Sequence, residues 1–467
     1  MEVSPFRGIR YNQGIVGGLA RVICPPYDVI TPEQQKVYYK RSDYNAIRLE
    51  FPEPTADRYQ GAAITFQQWL KQGVLQADEV PSFYLHDHHF EYSGEKRVRR
   101  GLIARVKLEP WGKGIYPHEE TFSKAKSDRL QLLRACRANF SPLFSLYQDS
   151  GQKIAPILSY VAQKEPLMSL RVPSPIKSGM SGRSNLLDSN EAHTLWAITD
   201  TEIKQELSQL LSSQPIYIAD GHHRYETALA YRQERTQVSY EQIPSPLTGE
   251  GRGEGGKAFN YIMMELVNFS DPGLVVLPIH RLVRGIAPSA LAGMEKQLEN
   301  LFTPEFVSFS EDSLARCHYE PFGLSVIASS DFVGAKQSRG VQDIVLGILG
   351  LHAEALVLLR RREDISLEAL MPANRSRAYR EFDVSILNHI IFDKVLSGAK
   401  ALDIAYTVDL KEAYQQIKEG KYQLAFLLKP PQPEMVKAVA DAQDRMPSKS
   451  TYFYPKLPAG LVINPVD

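Results

Sequence analysis

The chain has 467 residues, 43% of them hydrophobic and 23% charged, the proportions of a folded protein long enough for two or three cores. Lys plus Arg balances Asp plus Glu at 54 each, so no one-signed field exists to draw the protein to nucleic acid or an acidic membrane. Three scattered cysteines, Cys24, Cys136 and Cys317, form no Cys-x-x-Cys pair and argue against a structural zinc site or a disulfide framework. The amino terminus has no signal-peptide pattern and no run of about 18 apolar residues occurs, so the expectation is a soluble cytoplasmic protein without nucleic-acid or membrane partners.

Residues 1–80 read as an N-terminal α/β segment, with Thr31-Pro32-Glu33 starting one helix and a second helix over Ala56–Gly73. Apolar and polar residues roughly alternate over Ser82–Tyr92 and Arg97–Leu108, predicting a hairpin closed by Ser93-Gly94-Glu95. On its first strand His86 and His88 share a face and His89 points away; a solvated sheet face is the default reading and a transition-metal site the alternative. A helix is expected over Ser123–Ala138 and a strand over Phe140–Tyr147. Residues 171–186 read as an exposed loop, and Ala192–Ser213 as a helix pair with Asp200 as a cap. The short apolar strand Pro215–Ala219 runs into Asp220-Gly221, and helical periodicity resumes over His223–Arg235. Residues 243–257 form a Gly-rich insert before a strand at Phe259–Asn268; it has almost nothing to bury. Helices are expected over Pro288–Leu301, Gly340–Leu351 and Val384–Leu396, a solvated basic run at Arg360–Arg362, and a buried strand at Leu424–Leu428. The whole predicts an α/β (α+β) fold with mixed sheets, divided into 1–80, a catalytic core over 81–285, and a C-terminal α/β domain over 286–467.

Chemistry concentrates in three boxes. In Ile218-Ala219-Asp220-Gly221-His222-His223-Arg224 an apolar strand passes through a Gly turn into a helix, which aims free N–H groups and the positive end of the helix dipole at one spot. Gly221 permits close approach of an anion, Arg224 offers a planar fork to phosphate oxygens, and His222 and His223 add donors whose charge depends on pH. Upstream, Pro117-His118-Glu119 sets a carboxylate beside a histidine, a pattern suited to a general base or a metal ligand. Downstream, Pro447-Ser448-Lys449-Ser450-Thr451 offers hydroxyls and a lysine on Pro-fixed backbone, suited to a substrate or phosphate loop.

The Asp220–Arg224 box resembles that of the ParB/sulfiredoxin-like fold, and most of all the archaeal free serine kinase. That family also carries a Pro-His-Glu box upstream, matched by Pro117-His118-Glu119, and a Ser-Pro-Lys-Thr-Thr loop near its end, matched in order by Pro447–Thr451. Over nearly its full length the chain resembles the bacterial domain of unknown function 1015 family, through Pro25-Pro26-Tyr27-Asp28-Val29-Ile30, His118-Glu119-Glu120-Thr121, Asp128-Arg129, Leu277-Pro278-Ile279-His280-Arg281 and the boxes above.

The resemblance implies a ParB/sulfiredoxin-like core that moves a phosphoryl group, with an amino acid, free L-serine, as acceptor. Glu119 takes the hydroxyl proton with His118 orienting it. Gly221, His222, His223, Arg224 and Lys449 hold the donor phosphates, and Asp220 steers Mg²⁺. Ser450, Thr451 and Arg129 bind the substrate. ADP, ATP or pyrophosphate each suit such a loop as donor. A phosphoserine phosphatase and a non-catalytic ParB-like nucleotide switch are the alternatives.

Overall fold

In this computed structural model of the protein, the structure describes all residues except 122, 173–190, 238–256, 310–343, 354 and 397–401. Most of the expected loop 171–186 and of the insert 243–257 therefore lies outside the described residues, as does Cys317; Arg171 and Val172 close a strand. Among the described residues no helix is long and apolar enough to cross a membrane.

The fold is mixed α/β and rests on two sheets. Across the nine-stranded sheet the order is Ile115–Tyr116, Ile216–Asp220, Leu143–Tyr147, Tyr261–Asn268, Glu95–Lys107, Phe83–Tyr92, Glu191–Ile198 and Met168–Val172, with Val3–Ser4 also pairing Glu95–Lys107. The expected hairpin is its centre, Phe83–Tyr92 against Glu95–Lys107. Side-chain alternation divides its two faces. Phe83, Leu85, Leu102 and Ala104 pack under the helices Ile154–Val161 and Thr201–Ser212. Tyr84, Ile103 and Met263 instead meet Phe66 and Trp69 of the helix Arg58–Lys71. The second sheet is antiparallel, in the order Phe302–Ser308, Ala355–Arg361, Ile344–His352, Leu424–Leu428, His280–Arg284 and Asp403–Thr407. Phe144, Leu146 and Tyr217 of the first sheet share one core with Leu346, Ile348 and Phe426 of the second.

Three local expectations are corrected. Of the helix expected over Gly340–Leu351, residues 340–343 lie outside the described residues and Ile344–Leu351 falls in the strand Ile344–His352, whose apolar run is buried through Leu349. Such a run has no polar face from which to tell a period of two from 3.6. Ala192–Ser213 is one helix, not two: Glu191–Ile198 is a strand on Phe83–Tyr92, and only Thr201–Ser212 is helical, its N-terminus capped by the Asp200 carboxylate accepting from the Ile203 N–H. Within the Arg360–Arg362 run Arg360 is buried, with Nε 2.6 Å from Glu305 across the strand pair, so that run is not wholly solvated.

The last twenty residues cross the molecule. Tyr452–Tyr454 pairs with Val275–Leu277, Ala459 bridges Cys24, Ile463 bridges Ile9, and Asn464–Pro465 pairs with Ala138–Asn139. This returning segment carries Lys449 past the mouth of the Asp220 turn.

Candidate active site

The strand Ile216–Asp220 ends at Gly221, whose φ of +98° lies in the region that glycine enters without strain. A Cβ there would stand 2.9 Å from Leu143 Cγ and 3.0 Å from Arg224 Nη2, so space as well as torsion excludes a side chain. The helix His222–Gln237 starts at once, and its first N–H groups have no acceptor within the helix. They open onto a cleft of about 620 Å³ lined by Asp220–Arg224, Glu119, Glu120, Lys449, Thr451 and Lys456, and on the far side by Tyr27–Thr31, Ile279 and Tyr406–Asp409. All three sequence boxes therefore meet at one place.

The boxes are tied by backbone. Met446 N–H donates to the His118 carbonyl at 2.6 Å, and the Lys449 N–H donates to Glu119 Oε1 at 2.7 Å. Lys449 holds a left-handed φ of 60°. Arg281 fixes that loop: it is buried, and its Nη2 donates to the Lys449 carbonyl at 2.8 Å while Nη1 reaches the Ile279 carbonyl. The Pro278–Arg281 corner thus shapes the cleft from behind.

Glu119 is the group best placed for acid–base work. Removal from water pushes its carboxyl up to about 7, with the Lys449 N–H and charge pulling the other way. Asp220 has the opposite fate. Burial alone would raise it, but the Lys456 ammonium 2.7 Å from Oδ1, then the Arg224 guanidinium 3.4 Å from Oδ2, hold it at about 2. Two carboxylates in one cleft are thereby driven apart, one near neutrality and one permanently ionised.

His118 is fully buried and drawn down to about 4 by loss of solvent, against its bond to Ile218. Its Nδ1–H donates to the Ile218 carbonyl at 2.8 Å, and Nε2 accepts from Thr451 Oγ at 2.9 Å. His222 Nε2 accepts the His118 backbone N–H at 3.2 Å, and burial keeps that ring neutral as well. These two rings lock the boxes together. His223 lines the cleft half-buried, and burial lowers its basicity too.

Arg224 turns much of its fork to the back wall, where Nη1 bonds Ser141 Oγ at 2.8 Å and the Pro142 carbonyl at 3.0 Å. Arg129 lies outside the cleft lining. It is buried, with Nη1 on the Glu50 carbonyl at 2.7 Å, a salt bridge to Asp128, and its guanidinium 4.0 Å from the Tyr27 ring centroid. Ser450 is buried, with Oγ on the Pro447 carbonyl, whereas Thr451 reaches the cleft. Neither Lys456 nor Asp28 is among the site residues expected from the sequence, although Asp28 is one of the residues that carry the family resemblance. Both line the cleft, and Lys456 is the ammonium closest to Asp220. Their signal was position alone: Asp28 after a stiff Pro25-Pro26 pair, and Lys456 after Pro455 in the returning segment.

Asp220 and Asp28 present oxygen to the cleft beside the helix N-terminus, a donor set that suits a hard cation sharing phosphate oxygens and water. The fit is conditional at Asp220 Oδ1, which Lys456 already occupies.

No curated protein matches the chain. Among solved structures, a free serine kinase in complex with AMP aligns at 12% identity, covering 75% of this chain and 86% of that one, with a TM-score of 0.32. A conserved hypothetical protein from Pyrococcus furiosus aligns at 11%, covering 76% and 93%, TM-score 0.31. SbnI with a C-terminal truncation, from Staphylococcus aureus, aligns at 8%, covering 75% and 82%, TM-score 0.31. Similarity at this level leaves activity open. Over residues 3–384 the chain matches the family described as protein of unknown function DUF1015, and it therefore belongs to that family.

Proposed function

We propose that the protein is a small-molecule phosphotransferase that moves the terminal phosphoryl group of a nucleotide or pyrophosphate donor onto a hydroxyl, with free L-serine as acceptor. The observation that carries the reading is the pairing of Glu119, whose carboxyl titrates near neutrality, with a cleft of about 620 Å³ lined by a helix N-terminus and by Lys449 and Lys456. The serine acceptor rests on the likeness of the Asp220–Arg224, Pro117–Glu119 and Pro447–Thr451 boxes to the archaeal free serine kinase.

In this mechanism the donor phosphates lie against the N–H groups of Gly221–Arg224. Lys456 and Lys449 face the transferred group, because Arg224 is largely committed to Ser141 and Pro142. Ionised Glu119 accepts the proton of the acceptor hydroxyl. The freed oxygen forms a bond to the terminal phosphorus as the bond to the bridging oxygen breaks, and the shortened donor leaves with that electron pair. Positioning and charge neutralisation supply most of the rate. A Mg²⁺ ion held with Asp220 would offset charge on the donor oxygens. His118, His222 and Arg129 act as positioning groups: two neutral rings that fix the boxes, and a guanidinium that props Tyr27. Thr451 gives its hydroxyl proton to His118 and can offer the acceptor only its oxygen lone pairs.

The test is phosphorus NMR of the protein with Mg²⁺ and L-serine, offered ADP, ATP or pyrophosphate in separate tubes. A phosphomonoester resonance that needs both serine and one donor is expected. Phosphate release from phosphoserine with no serine-dependent product would select a phosphatase instead. Tight nucleotide binding with no product would select a nucleotide switch.

A further inference from the structure

The expected solvated His86–His89 face is in fact interior. His86, His88 and His193 are buried in a polar row that crosses the large sheet and takes no part in the cleft lining. We propose that His88, His193 and Glu191 bind a divalent transition-metal ion of the Zn²⁺ type.

The row is built by a missing side chain. Gly101 stands opposite His86, and a Cβ on it would lie 2.5 Å from Glu265, so its absence lets Glu265 reach across the intervening strand. Glu265 Oε2 lies 2.9 Å from His86 Nδ1, and His86 Nε2 lies 3.0 Å from His193 Nδ1. A carboxylate can only accept, so the protons fall in sequence: His86 donates from Nδ1, accepts at Nε2, and His193 donates from Nδ1. That leaves Nε2 of His193 as its lone-pair nitrogen. A carboxylate–imidazole chain behind a ligating histidine is how proteins commonly fix the metal-facing nitrogen.

The His88 ring sits 4.2 Å from that of His193, centroid to centroid, and its Nε2 is 2.7 Å from Glu191 Oε2. The candidate ligand atoms of all three residues lie within 4.8 Å of one another. Bonds of about 2.0–2.1 Å in a tetrahedron set ligands roughly 3.3 Å apart, so the cluster closes on an ion through side-chain rotations. Two imidazoles with one carboxylate select a borderline ion such as Zn²⁺ over Mg²⁺, and leave a fourth position open.

Arg99 sets the cost. Its Nη2 donates to His88 Nδ1 at 3.2 Å, so without metal the His88 proton sits on Nε2 and is shared with Glu191. Metal on Nε2 moves that proton to Nδ1, and Arg99 must release the ring. Its bond to the Tyr454 carbonyl at 3.0 Å and its place over Phe144 remain.

Full-length protein stripped with chelator and titrated with Zn²⁺ by calorimetry is expected to bind one equivalent that survives His223→Ala in the cleft. His193→Gln should weaken that binding at least about tenfold, and Glu265→Gln by about 10–100-fold, through loss of the proton order behind the ligand. X-ray absorption on the wild-type zinc form, which needs no variant to fold, should show two imidazoles and oxygen ligands near 2.0 Å. Absence of stoichiometric uptake, fewer than two imidazoles, or binding lost in His223→Ala and kept in His193→Gln overturns the assignment.

Discussion

Glu119 holds the tension of the site. Its carboxyl is pushed up to about 7 in the folded chain from an ordinary carboxylate value, so the folded state favours the protonated form. The stability this group contributes is complete below the unfolded pKa and is lost as pH rises through about 7. Glu119→Gln is therefore expected to be more stable than wild type at pH 8, by on the order of 1–2 kcal/mol after discounting for solvent in the open cleft. Denaturant unfolding of the two proteins at pH 5 and pH 8 checks this, since the difference should vanish at the lower pH. Asp220 behaves inversely. Its folded value of about 2 means that its contribution is present above the unfolded value and fades as pH falls through 2. Lys456→Ala leaves that largely buried carboxylate without its nearest counter-charge and should cost about 3–5 kcal/mol. The same change should raise the donor KM, which separates it from a purely structural defect.

The Gly221 turn shows what one element demands. Gly221→Ala adds a methyl against Leu143 and Arg224 at a φ of +98°, and should destabilise the protein by about 1–3 kcal/mol. Because the same turn presents the helix N–H groups, donor affinity should fall with it; thermal unfolding and nucleotide calorimetry read the two effects separately. This element was legible in the sequence because strand, glycine and helix follow one another without a break. The hairpin at Ser93-Gly94-Glu95 was legible because two roughly alternating runs flank a Ser-Gly-Glu turn. Ile344–His352 was not, because buried on both faces it shows no period. The roles of His118 and His222 were legible only as residue types. That both rings are neutral struts depends on burial and on partners remote in sequence: Ile218 and Thr451 for the His118 ring, and the His118 backbone N–H for that of His222. The same holds for Arg224, whose partners Ser141 and Pro142 come from the bend that precedes the strand Leu143–Tyr147.

At the scale of the whole molecule, the returning C-terminal segment matters most. It bridges Ile9 and Cys24 near the start of the chain, pairs with Ala138–Asn139, and delivers Lys449, Thr451 and Lys456 to the cleft. The expected division at 80 and 285 follows the order of the sequence, whereas this segment contacts all three parts. Removal of residues 446–467 is expected to abolish activity and to lower the melting temperature of the entire chain. A truncated chain that kept a native-like unfolding transition would show that the stitch is dispensable. The most direct measurement of the central claim is the rate of phosphoryl transfer to L-serine across pH, for wild type and Glu119→Gln, with donor affinity measured on both. The expected result is a wild-type kcat/KM that rises with pH through about 7 and a variant slower by about 10²–10⁴-fold, with donor binding close to unchanged. Full activity in Glu119→Gln, or a wild-type rate indifferent to pH across that range, would contradict the assignment of Glu119 as the base.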